Sequence, residues 1–140
     1  MSKPGQPRIL QGLVDVPASE ATLLLEAGYL LMELGRAKAA QDLLGGVCDL
    51  LPSSDVARVA LGNCHFARGH FKQALKCHQD ALRTHDDSAL ALAHMGEALA
   101  FLGRRDEAVA ALQKAVAMEP DGLPAGFATA LLQAIDEGNL

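Results

Sequence analysis

Tryptophan is missing from this chain of 140 residues, and tyrosine occurs once beside four phenylalanines. Half of the residues are nonetheless apolar, so the core has to be built from alanine and leucine, which suits packed helices and disfavours a β-sandwich. Cysteine is scarce and odd in number, with Cys48, Cys64 and Cys77 only. An odd count without an export signal points to reduced thiols, each acting as a small hydrophobe, and not to a disulfide framework. No apolar run approaches the ~20 residues that cross a bilayer. The amino terminus has no long apolar stretch of the kind a secretory leader carries, so a cytoplasmic protein is expected. Basic tracts are absent and the net charge is -5, which makes nucleic acid a poor candidate partner. The length fits one domain.

What the chain does have is a period. Gly28, Gly62 and Gly96 are spaced by 34 residues, and the positions around them recur. A second glycine follows seven places later (Gly35, Gly69, Gly103) and an alanine twelve places later (Ala40, Ala74, Ala108). Four beyond the alanine stand Leu44, His78 and Leu112, and seven beyond it Val47, Ala81 and Ala115. Pro52 and Pro120 close two units, with Asp86 at the same offset in the middle one. A fixed period in the range of 20 to 50 residues is the signature of stacked supersecondary units.

Each recurring residue has a physical reason. The first glycine and the alanine keep side chains small where two antiparallel helices approach to ~8–10 Å. The second glycine supplies the left-handed residue that ends the first helix. Proline stops the second helix. Each unit is therefore expected to be a hairpin of two amphipathic helices. Outside the units, Pro4, Pro7 and Pro17 forbid a long helix in the first residues. Ile9, Leu10, Leu13, Val14 and Val16 nevertheless make that segment more apolar than a solvated tail, so it is expected to be mobile at first and then to dock. At the other end Pro124 suits the first turn of a helix, and Phe127, Leu131, Leu132 and Ile135 follow at helical spacing. This capping helix, over about 124–137, should cover the third unit, with Asp136 to Leu140 frayed.

No nucleophile with its base and no pair of carboxylates in a cleft can be assembled, so an enzyme is not expected. Cys64-His65 and Cys77-His78 carry zinc-ligand side chains. They lack a Cys-x-x-Cys or His-x-x-x-His clip, and both histidines take offsets that hold leucine in the other units. They are expected to pack in the core and bind no metal. No cofactor is implied.

These offsets resemble the tetratricopeptide repeat, in three units over 21–54, 55–88 and 89–122, with 1–20 before them and 123–140 after. Leu24, Arg58 and Leu92 replace that family's tryptophan, and Leu31, His65 and Leu99 its tyrosine. The resemblance implies an all-α solenoid of three helical hairpins with a C-terminal capping helix. It also implies a groove lined by the first helix of each unit at three offsets: Leu25, Tyr29 and Met32; Val59, Asn63 and Phe66; Ala93, Glu97 and Ala100, with Phe101 beside them. Some of these could instead pack against the next unit, because solenoid neighbours share a core. Tetratricopeptide domains that hold the acidic end of heat-shock proteins carry basic residues where Leu25, Val59 and Ala93 stand here, so that role is not implied. Hydrophobic anchors on an extended or helical partner suit an apolar groove better.

The run from Leu23 to Arg36 and the closing Leu50-Leu51-Pro52 resemble the first repeat of the small tetratricopeptide chaperones of bacterial type III secretion. Those proteins are compact, acidic and cytoplasmic and keep hydrophobic secretion substrates soluble. Their additional helical arm is replaced here by a short proline-broken one. The resemblance implies a cytoplasmic bacterial chaperone or adaptor that grips a protein segment through Tyr29, Met32, Phe66 and Phe101. The alternative is a self-associating scaffold that forms homo-oligomers.

Overall fold

The structure, a computed structural model, describes residues 17–140; the expectations for residues 1–16 lie outside the described residues. Among the described residues the chain forms seven helices: α1 (Ala18–Glu33), α2 (Ala37–Leu50), α3 (Asp55–Ala67), α4 (Phe71–Thr84), α5 (Ala89–Phe101), α6 (Arg105–Met118) and α7 (Leu123–Asp136). They form three antiparallel hairpins, α1–α2, α3–α4 and α5–α6, with α7 packed on α5 and α6. The fold is the all-α solenoid with a terminal capping helix.

Gly35, Gly69 and Gly103 sit at φ 74, 77 and 75°, the left-handed region where a side chain would strain the backbone. Each closes its first helix with the same two hydrogen bonds. In the first unit Gly35 N–H donates to the Met32 carbonyl at 3.0 Å and Arg36 N–H to the Leu31 carbonyl at 2.8 Å, the pairing that satisfies the last free carbonyls of a helix. Gly138, at φ 76°, does the same for α7, with Asn139 N–H donating to the Ala134 carbonyl at 2.8 Å. The last carbonyls of α7 are thus hydrogen-bonded, while residues 136–140 are all exposed.

The first glycine of each unit is a site of close approach. A Cβ on Gly28 would fall 2.6 Å from Leu44 Cδ2, on Gly62 2.5 Å from His78 Cε1, and on Gly96 2.5 Å from Leu112 Cγ. The recurring side chain four places beyond the alanine therefore fills the space the glycine leaves. The largest buried cluster runs from Ala74 and Leu75 through Leu92, Leu99 and Leu112 to Ile135 on α7. A smaller one holds Ala40, Leu44, Ala60 and Cys64 between the first two units. Helices α1, α3 and α5 stand side by side as an inner layer, with α7 continuing the row. Among the described residues no helix is long and apolar enough to cross a membrane.

Candidate functional site

The face made by α1, α3 and α5 carries the residues expected to meet a partner. Tyr29 is 39% exposed and Phe101 45%, high values for large rings, and both lie in the carboxyl-terminal halves of their helices. Asn63 Nδ2 donates a long hydrogen bond of 3.4 Å to Tyr29 Oη, joining equivalent positions of the first two units. Phe66 is half-buried; its ring meets that of Phe101 edge-on with centroids 4.9 Å apart. Edge-to-face contact is the favoured arrangement of two aromatic quadrupoles. Ala100 is half-buried beside the same core.

Leu25 and Met32 are half-buried and pack against the small cluster shared with the second unit. Glu97 is half-buried, 3.2 Å from His94 Nδ1. Two of the expected groove residues need correction. Val59 and Ala93 are fully buried: Val59 is packed with Ala81 and Ala91, and Ala93 lies in the large cluster. Val59 is enclosed by α4 of its own hairpin and α5 of the next, and both residues support the face from behind and cannot touch a ligand.

Two features escaped the reading of the repeat. Phe71 completes an aromatic trio, with its ring 5.0 Å from Phe66 and 5.3 Å from Phe101. Ala37 and Arg105 occupy its offset in the other units, so the alignment marked only a turn position. The second is His94, whose ring lies 4.9 Å from Phe127 on α7 and 5.8 Å from His78. No pattern in the period signals that pair, because the equivalent residues are Glu26 and Ala60.

The cysteines and histidines weighed as zinc ligands are dispersed. Cys64 is buried, with its thiol donating to the Ala37 carbonyl at 3.4 Å. Burial raises its pKa. Cys77 lies near Cys48, and burial first, then that neighbouring thiol, pushes its pKa up to about 11. His78 is sealed against Gly62, and its Nδ1 has no partner. His65 is held below its ordinary pKa by burial first and then by His70 and Arg68. Among the described residues, no three His, Cys, Asp or Glu side chains gather in a metal-holding group.

Residues 53–120, the second and third hairpins, match the tetratricopeptide-repeat family. The second and third hairpins are tetratricopeptide repeats. No curated protein sequence matches it. Several solved structures share the fold. The type III secretion translocator chaperone SycD of Yersinia enterocolitica superposes with a TM-score of 0.76 at 17% identity, over 90% of this chain and 98% of that one. PcrH of Pseudomonas aeruginosa does so with 0.75 at 22% identity, over 89% and 98%. The first tetratricopeptide domain of Spaghetti (RPAP3), bound to an HSP90 peptide, gives 0.73 at 22% identity, over 89% and 97%. SycD has also been seen in complex with a peptide of the translocator YopD, at a TM-score of 0.73 and 17% identity, over 91% of this chain and 100% of that one. The tetratricopeptide fold presents extended surfaces to other proteins, and this protein is a protein-interaction module.

Proposed function

We propose that the tetratricopeptide face formed by α1, α3 and α5 holds a hydrophobic segment of a partner protein, and that the protein serves as a cytoplasmic bacterial chaperone or adaptor of the type III secretion kind. The observation that carries this is the aromatic surface of Tyr29, Phe66 and Phe101, two of whose rings are exposed in the free chain. Folded neighbours of this shape take peptides, from YopD in SycD and from HSP90 in RPAP3. The chemistry here favours apolar anchors over a terminal carboxylate. Leu25, Val59 and Ala93 supply no positive charge, and Glu97 would repel an acidic tail.

Peptide arrays tiled from the proteins encoded beside this gene, with the HSP90 peptide as a control, test the reading. Apolar segments should bind, the HSP90 peptide should not, and Tyr29→Ala with Phe66→Ala should weaken capture by at least ~2 kcal/mol, about thirtyfold. Phe66 also touches the core, so circular dichroism must show helicity retained; Phe101→Ala, on a more exposed ring, gives an independent check. Undiminished binding in both variants would place the partner elsewhere.

A further inference from the structure

The outer side of the first hairpin, away from the second unit, is unusually apolar. Leu23, Leu30 and Leu34 are 65%, 54% and 64% exposed, and with Ala27 between them they recur at spacings of four, three and four along α1. Such a stripe is what one helix offers to an apolar neighbour. Beside it, between α1 and α2, lies a groove of about 430 Å³ walled by Leu24, Leu43, Val47 and Leu50, with Asp42 and Asp49 at its rim. Gly46 lines it without a side chain, and a Cβ there would meet nothing within 4 Å. A glycine inside a helix costs stability, and Asp80 and Lys114 hold this offset in the other units. In the third unit Leu92, Ala111 and Lys114 line the equivalent groove, of about 370 Å³, together with Gln79 and Leu82 of the preceding hairpin; in the first unit a glycine takes the place of the Lys114 side chain.

We propose that this groove is the docking site of the chain's own amino-terminal segment, with Ile9 to Val16 laid across Leu24, Leu43 and Leu50. The described chain begins at Pro17, at the end of α1 next to the groove. Leu24 lies only ~10 Å along the helix from there, whereas the eight residues from Ile9 to Val16 reach up to ~26 Å when extended. The segment contributes Ile9, Leu10, Leu13, Val14 and Val16 to an apolar wall. Arg8, just before it, is complementary to Asp49, while Asp42 is paired with Lys38 at 2.6 Å. Being tethered, it meets the groove at an effective concentration that a second molecule at micromolar levels does not reach.

The test uses the full chain with the photoreactive substitution Leu13→p-benzoylphenylalanine, irradiated at ~1 µM, far below the millimolar effective concentration of a tethered segment. Labelled and unlabelled nitrogen isotope forms are mixed before irradiation. Crosslinks from position 13 to residues between Leu24 and Leu50 within one chain are expected. In the same chain Gly46→Leu fills the open space and should cut that yield at least ~5-fold while leaving the melting temperature no lower, since leucine is the better helix former. Isotopically hybrid crosslinks would overturn the proposal by showing a second copy on this face. Crosslinks to Phe66 or Phe101, no crosslink at all, or an unchanged yield in Gly46→Leu would overturn it too.

Discussion

His78 stands where the flanking units carry Leu44 and Leu112, and it fills the same space against a glycine. Burial first, and then the nearby His94, push its pKa down to about 3 from 6.5. Between those values the unfolded chain takes up a proton that the folded chain refuses. Stability from this group is therefore complete above pH 6.5 and is lost as pH falls toward 3, at up to about 1.4 kcal/mol per unit. His78→Leu should stabilise the protein by about 1–3 kcal/mol through removal of a buried nitrogen without a partner. It should also flatten the stability profile between pH 5 and 7. Urea midpoints of both chains at the two pH values check this, and an equal acid loss in the variant would exclude His78 as its source. The packing role of this histidine was legible from its offset, because the period assigns a position to the core whatever residue fills it. Phe71 was not legible: its contacts are to rings on α3 and α5, and nothing in a turn offset encodes them.

At the scale of elements, the helices start in different ways. Ser54 and Ser88 cap α3 and α5, accepting from Ala57 N–H at 3.1 Å and Ala91 N–H at 3.2 Å. Ser88 also donates to Asp55 Oδ2 at 2.8 Å, tying the start of α5 to the start of α3. Ser54→Ala removes only a cap, at a cost of about 1 kcal/mol. Ser88→Ala removes the cap and leaves the half-buried Asp55 carboxylate without that donor, so it should cost a further 0.5–1.5 kcal/mol or so. Chemical denaturation of the two variants decides; equal losses would mean the link to Asp55 contributes nothing. Helix ends were legible wherever the backbone demands a residue type, as at Gly35, Gly69 and Gly103. The close of α7 was missed because Gly138 lies 35 residues after Gly103, one step out of the period.

For the whole molecule, the buried apolar residues are unevenly shared. The large cluster joins the second unit, the third and α7, while the first hairpin meets the rest through the smaller one. Local opening is easiest where few apolar contacts must be broken, and adjacent Gly45 and Gly46 weaken α2 further. Amides of α1 and α2 should accordingly exchange with solvent faster than those of α5 and α6. Native-state hydrogen exchange resolved by helix checks this, and uniform protection would contradict it. The stacking of units was legible because one period repeats the same demand three times. The direction of single side chains was not, since Val59 and Ala93 share an offset with half-buried Leu25 yet are fully buried. The Ser88–Asp55 link carries a mechanical consequence. The joint between the second and third hairpins is latched at both edges, by that bond at one end and by Phe66 against Phe101 at the other. Between the first and second, Tyr29 and Asn63 form a clasp toward the turn end, with Gln41 and Arg68 beside it; at the opposite edge Ala21 stands where Asp55 would be needed. Pulled away from the second hairpin, the first should therefore part like a door hung at Tyr29, opening first beside the start of α1.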